Sequence, residues 1–350
     1  MIATPVKIGF LGGGMMAQIG HLPFYVRDSR CQVVRICESR PSLVTVLQQE
    51  FGPNRLIPDW NELVEDDEIA ALVISAPRSA TGPLTLAALQ AGKHVMAEKP
   101  MAHSVDQASR LVEEAVARRL IYSIGFMKRY DPGVQAAKTL LDEMITEGRL
   151  GRLLFARFYD FSNAYAVPSP PHVRPIESRS ERFPTWPTYP SWLPEQYRTA
   201  YAWFLNVASH DVNLLRYFFA DSVEVTSACC LGDASVIATM RHGDVSIALE
   251  VTKSAVGRWI EGMDFLFERG QVRVVIPSPM ATQNVSEVIL DDERRQIVGE
   301  RVRTGKGWSF ALQAAGFVDA LIGLRPPLTR GEQGLDDMRL IEQIWQRVAA

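Results

Sequence analysis

From residue 6 onward, short apolar runs alternate with stretches whose hydrophobic positions recur every three to four residues. Residues 6–11, apolar apart from Lys7 and Gly9, read as a buried strand, and residues 12–20 as a turn that opens a helix. The pattern then predicts strands over 32–37, 70–76, 94–97 and 120–125. Between them it predicts helices over 41–51, 85–91 and 105–119. Strand–helix alternation of this kind predicts a doubly wound parallel sheet of Rossmann type, with helices on both faces. This makes residues 1–125 one domain.

The pattern changes beyond that point. Residues 132–147 read as one amphipathic helix ending at Gly148. Strand patterns then follow in series, over 153–161, 223–230, 235–241, 245–253, 259–268, 271–276 and 285–290. A helix over 204–219 interrupts them, and helices over 310–324 and 331–348 close the chain. Strands in series predict an antiparallel sheet, so residues 126–350 read as a second, α+β domain. Between the first strand and the interrupting helix lies a segment, 163–198, that holds eight of the chain's 21 prolines. It also carries Trp186, Tyr189, Trp192, Tyr197, Arg174, Arg179, Arg182 and Arg198. So long a loop within a domain is functional or disordered, and its aromatic content argues for function. It is expected either to stack on and hold a substrate or to pack as an arm against another subunit.

Composition narrows the class. With 37 basic and 40 acidic residues the formal charge is −3, which gives no basic excess for nucleic acid. No apolar run reaches the length of a membrane span, and no signal-peptide pattern precedes Val6, so a cytoplasmic protein is expected. Cys31, Cys37, Cys229 and Cys230 show no metal-binding or redox spacing. His21, His94, His103, His172 and His242 are not spaced as ligands, and no metal site is expected.

Three motifs carry chemistry. Gly12, Gly14 and Ala17 match G-x-G-x-x-A directly after a strand, with Met15 and Met16 between them. Such a turn lets backbone N–H groups and a helix N-terminus face a pyrophosphate. A ligand-free turn or an adenosyl-cofactor site would share the glycines alone. Glu38, 26 positions after Gly12, is placed to bridge adenosine ribose hydroxyls, which favours NAD. Ser39 and Arg40 would accept the 2′-phosphate of NADP if Glu38 turned aside. Ala76 and Pro77 end another strand at the expected cofactor edge. The second motif, Glu98-Lys99-Pro100, follows the 94–97 strand and faces the same edge. Asn206 and His210, at i and i+4 on the 204–219 helix, form the third. A histidine there has the right titration range to take a hydroxyl proton.

In order and spacing the chain resembles the Gfo/Idh/MocA oxidoreductases, the group of glucose–fructose oxidoreductases and inositol dehydrogenases. The resemblance rests on GFLGGGMMA, AALQAGKHVMAEKPMA, GFMKRYDPGVQAAKTLL, the N-x-x-x-H-D helix, FLFERGQVRV and PLTRGEQGLDDMRLIEQI. It implies an N-terminal Rossmann domain and a C-terminal domain for substrate binding and oligomerisation, whose open sheet face joins subunits into a homodimer or homotetramer. It also implies Lys99 and His210 as catalytic residues and NAD, or NADP, as cofactor. Two positions depart from the family pattern. Asn206 stands where dehydrogenase members usually carry aspartate, and Pro77-Arg78 with Thr81 stands where the family often has Pro-Asn and a histidine.

The expected reaction passes hydride between nicotinamide and a secondary alcohol or ketone of a sugar, cyclitol or sugar derivative. His210 takes the hydroxyl proton, Lys99 donates to the same oxygen, Asn206 orients the hydroxyl, and Arg129 and Tyr130 line the cleft. Other readings stay open at this point: a non-catalytic NAD-sensing regulator, an NAD-dependent glycosidase, or a dehydrogenase of a non-sugar substrate.

Overall fold

The apolar runs of the first half become a six-stranded sheet in which every neighbouring pair is parallel. The computed structural model describes residues 4–161, 169–177, 183–220, 223–254 and 256–350. Its first sheet contains β1 (Val6–Leu11), β2 (Cys31–Cys37), β3 (Leu56–Ile57), β4 (Ala71–Ile74), β5 (His94–Ala97) and β6 (Tyr122–Ile124). The order is β3-β2-β1-β4-β5-β6, so the winding direction reverses beside β1. In an open α/β sheet, ligands bind outside the carboxyl ends of the strands at that reversal. All of Ala71–Ile74 is buried, as expected for a strand covered on both faces.

Five helices alternate with these strands: α1 (Leu22–Arg27), α2 (Pro41–Phe51), α3 (Trp60–Glu65), α4 (Arg78–Gln90) and α5 (Val105–Ala117). Two-residue β3 was not expected, because it is too short to show a period. α4 begins at Arg78 rather than residue 85, running through Pro83. A helical proline leaves the carbonyl four residues earlier without its donor, and here that carbonyl belongs to Ser79. The Trp186 N–H fills the vacancy at 2.9 Å. A Cβ on neighbouring Gly82 would lie 2.5 Å from the Trp186 ring, so only glycine admits the indole.

Contacts divide the chain into two units. The first comprises Met1–Phe126, Pro170–Pro190 and Phe310–Met338. The second comprises Met127–Ser169, Ser191–Ser309 and Arg339–Ala350. A boundary at 125/126 alone therefore understates the first unit. The helix Ser309–Leu321 supplies Ala314, Phe317 and Val318 to the core formed by Ile8, Phe10, Tyr25, Val33 and Val73.

In the second unit, Asp131 caps α6 (Pro132–Glu147) by accepting from the N–H groups of Gly133 and Val134. An eight-stranded sheet follows: β7 (Leu153–Asp160), β8 (Glu224–Leu231), β9 (Ser235–His242), β10 (Val245–Thr252), β11 (Glu261–Phe267), β12 (Gly270–Ile276), β13 (Glu287–Asp292) and β14 (Ile297–Arg301). Its order is β14-β13-β12-β11-β7-β10-β9-β8. The expectation of a purely antiparallel sheet needs correcting, because β7 and β10 pair in parallel. The long excursion after β7 permits a parallel return, which a hairpin would not. The expected single helix over 204–219 is two, α7 (Arg198–Val207) and α8 (Ser209–Phe219). Phe218 and Phe219 of α8 pack on Phe158 of β7 and Phe265 of β11. On the opposite face, Ile237, Leu266 and Val275 are exposed, set among the ion pairs Arg157–Glu250 and Arg273–Asp264.

Candidate cofactor and catalytic site

The glycine turn leaves β1 at the sheet's reversal. Gly12 has φ +100°, and a Cβ there would fall on the Ser75 carbonyl at the end of β4. A side chain is therefore excluded both by conformation and by space. The Gly12 N–H donates to the Cys37 carbonyl at 3.0 Å, tying the turn to β2 as well. Helix begins at Met15, and Ala17–His21 winds as a π-helix, a form that recurs at functional sites. Ala17 is buried while Met15 stays exposed. Ala76 and Pro77, half-buried, lead from β4 into α4. Here the main chain approaches closely without intervening side chains, as a pyrophosphate cradle requires.

Glu38, at the end of β2, is not open as expected. It is 3% exposed, and its partner Arg40 is 5% exposed. Arg40 Nε and Nη2 donate to its two carboxylate oxygens at 2.7 and 2.6 Å. The N–H groups of Ser39, Arg40 and Gly13 donate at 3.1, 3.1 and 3.0 Å. Five donors fill the lone-pair sites of a carboxylate. Burial opposes the charge, yet Arg40 and these N–H groups hold Glu38 below the usual carboxylate range. A ribose hydroxyl would have to replace one of these donors to reach it.

Glu98 and Lys99 follow β5. Glu98 Oε1 lies 2.8 Å from His21 Nε2, and Oε2 accepts the Lys99 N–H at 3.1 Å. Burial works against ionised Glu98, but the His21 hydrogen bond and nearby positive charge keep it below the ordinary range. The Lys99–Pro100 peptide is cis. The main-chain N–H of Lys99 is tied to the π-helical turn through Glu98. Sequence reasoning set His21 aside. Its only signal was a polar residue at the end of the glycine motif's helix.

In the second unit, Asn206 lies on α7 and buried His210 on α8, with the helix boundary at Ala208 between them. The next residue, Asp211, enters a buried group with Asp160 and Glu261, whose carboxylates lie within 4.8 Å of one another. Lys128 joins it through an ion pair with Glu261, and Trp259 Nε1 donates to Glu261 Oε2 at 2.9 Å. Burial raises Asp211 well above the carboxylate range and Glu261 to about 7. Lys128 brings one positive charge to these three carboxyl groups.

Arg129 and Tyr130 do not behave as residues lining an open cleft. Arg129 is 2% exposed, donates to the Asn213 carbonyl at 2.8 Å and lies over the Tyr217 ring. Tyr130 is likewise buried. Their packing holds the 127–130 turn against α8. The aromatic residues of the 163–198 segment are also engaged within the chain. Trp186 docks on α4, Trp192 donates to Glu342, and Tyr197 packs on Trp345. Arg179 and Arg182 lie outside the described residues.

Residues 6–126 match the model of an oxidoreductase family with an NAD-binding Rossmann fold. The myo-inositol 2-dehydrogenase of Thermotoga maritima is 25% identical over 256 residues, 72% of this chain and 66% of that protein. The levoglucosan dehydrogenase of Pseudarthrobacter phenanthrenivorans is 27% identical over 173 residues, 47% and 43% of the two chains. The matches thus span about two fifths to two thirds of these relatives. Among solved structures, a 3-ketoreductase from Actinomadura kijaniata, in complex with NADP and TDP-benzene, superposes with a TM-score of 0.77. It shares 18% identity and covers 99% of this chain and 98% of its own, a likeness of fold. Over residues 6–126 the chain is thus similar to the Gfo/Idh/MocA oxidoreductases.

The matched residues carry the NAD-binding Rossmann fold of that family. The second unit holds the buried acid cluster. This cluster gives a pH prediction. Folded Glu261 holds a proton up to about pH 7, whereas its ordinary pKa is 4.5. Its contribution to stability is therefore full below about 4.5 and lost as pH rises through about 7. His94 and His103, lowered by burial, act with opposite sign, so the informative quantity is a difference. The melting temperature of wild type relative to Glu261→Gln should fall between pH 5 and 8. A pH-independent difference would remove Glu261 from this role.

Proposed function

We propose that this chain is a cytoplasmic NAD(P)-dependent dehydrogenase or reductase acting on a secondary alcohol or ketone of a sugar, cyclitol or sugar derivative. The observation that carries the proposal is the Glu98–Lys99 pair. It is fixed by His21 at the carboxyl edge of the family's NAD-binding sheet, where a ligand is expected. The named relatives act on inositol and on levoglucosan, which supports a polyol as substrate.

Bound nicotinamide supplies the hydride acceptor or donor. The turn at Gly12–Gly14, with Met15, Met16 and Ala17, holds the pyrophosphate, and Glu38, Ser39 and Arg40 meet the adenosine ribose. Ala76 and Pro77 border the nucleotide. Lys99 donates a hydrogen bond to the substrate oxygen and stabilises its developing negative charge. His210 takes the hydroxyl proton in oxidation and returns it in reduction. Asn206 orients the hydroxyl through its amide but cannot offset an imidazolium charge as an aspartate would. A homodimer or homotetramer, joined through the open face bearing Ile237, Leu266 and Val275, completes the proposal. Supporting facts are that no described helix is long and apolar enough to cross a membrane and that the four cysteines are thiols rather than disulfides.

The test offers NAD and NADP separately, in both redox states, with inositols, anhydro-sugars, free sugars and their ketones, following nicotinamide absorbance. Turnover with at least one polyol or keto-sugar is expected. No hydride transfer with any pair, in a protein that binds the cofactor, would overturn the catalytic reading.

A further inference from the structure

Residues 170–177 and 183–190 pack within the first unit, on the turns that follow three adjacent strands. After β1, Val173 exchanges two hydrogen bonds with the Gln18 side chain. Its N–H donates to Oε1 at 2.9 Å, and its carbonyl accepts from Nε2 at 3.1 Å. After β2, the N–H and hydroxyl of Ser42 donate to the two carboxylate oxygens of Glu177 at 3.0 and 2.5 Å. After β4, Trp186 sits over Gly82 and bonds the Ser79 carbonyl. The segment therefore follows the carboxyl ends of β2, β1 and β4, the rim of the crevice where a doubly wound sheet holds a dinucleotide.

The charges at one corner of that rim do not balance. In this fold the end of β2 reads the 2′ position of the adenosine ribose. Glu38 was the expected reader, yet its charge is cancelled by Arg40 in a buried two-bond pair. Glu177 accepts from the amide and hydroxyl of Ser42 and from the main-chain N–H groups of Ile176 and of Glu177 itself, with no cation paired to it among the described residues. Among the described residues, the uncompensated negative charge at this corner is therefore that of Glu177, not Glu38. It also takes a first-turn N–H of α2, one of the donors a helix start offers to an anion.

We infer that Glu177, delivered from outside the continuous 6–126 domain, is a specificity-determining residue for the cofactor. Its carboxylate stands on the first turn of α2 and turns away the 2′-phosphate of NADP in favour of NAD. The inference rests on the dinucleotide reading of the site. A 2′-phosphate carries nearly two negative charges, so it would have to displace Glu177 from Ser42 while facing its charge.

The experiment compares NADH and NADPH titrations of wild type, Glu177→Gln and Glu177→Ala at fixed salt. Wild type should bind NADH more tightly. Glu177→Gln keeps the size and hydrogen-bonding capacity but removes the charge, so its NADPH affinity should rise about tenfold with NADH within about twofold. The gain should shrink at high ionic strength, where surface charges are screened. An unchanged NADPH-to-NADH ratio in both variants would overturn the assignment. Equal weakening of both nucleotides would also overturn it, leaving Glu177 as a fastener of the segment. Failure of wild type to bind either nucleotide is a different result, and it would remove the dinucleotide reading itself.

Discussion

Lys99→Ala should lower turnover by about 10²–10⁴-fold while changing cofactor affinity less than about twofold. The separation of the two effects follows from how the residue is held. The Lys99 main-chain N–H is bonded to Glu98 Oε2, and Glu98 is bonded to His21 on the glycine motif's helix. These main-chain and Glu98–His21 bonds remain when the side chain is truncated, while the ammonium is removed. Without it, oxygen charge that develops during hydride transfer has lost its donor. Single-turnover rates and a cofactor titration on the same preparation check this. A variant with wild-type turnover would take Lys99 out of the mechanism. Loss of cofactor affinity comparable to the loss of rate would make it a binding residue.

Replacing Lys128 by methionine should destabilise the protein by about 3–5 kcal/mol, because it leaves buried acidic groups without their cation. Lys128 is itself buried. Burial opposes its charge, but Glu261, Asp211 and Asp160 together keep its pKa above the ordinary lysine value. Methionine fills similar volume, so the cost measures charge rather than a cavity. The deficit should shrink as pH falls, since protonated carboxyls need no counter-ion. Chemical denaturation at two pH values reads both quantities. A loss below about 1 kcal/mol, or one independent of pH, would mean that the cluster carries no net charge in the folded state.

Much of the first unit was legible in sequence because its signals are local. Ala71–Ile74 is wholly buried, and Val6–Leu11 and His94–Ala97 are buried beyond their first residues, so their runs are mostly apolar. Gly12 announces its backbone conformation through its identity. Features that depend on distant partners were hidden. Pro83 reads as a helix stop, and only the Trp186 N–H, more than 100 positions away, reveals why the helix continues. The parallel pairing of β7 with β10 depends on where a long excursion returns, which no periodicity records.

The candidate site divides in the same way. Gly12, Glu98 and Lys99 were placed from motif and context. Glu38 was found, but its saturation by Arg40 was not, because a two-residue separation says nothing about which way either side chain turns. Arg129 and Tyr130 looked available as polar residues near a motif, yet packing against α8 consumes them. Lys128 and Glu177 had no sequence signal of their own, and His21 only its place at the end of the glycine motif's helix. Each gains meaning from a carboxylate or hydroxyl brought to it by the fold.

The most direct test of the account is a fluorescence titration of the purified wild-type protein with NADH, carried out in parallel with NADPH at one salt concentration. Saturable binding of NADH, tighter than that of NADPH, is the predicted result. Absence of saturable binding by either nucleotide would contradict the account at its centre.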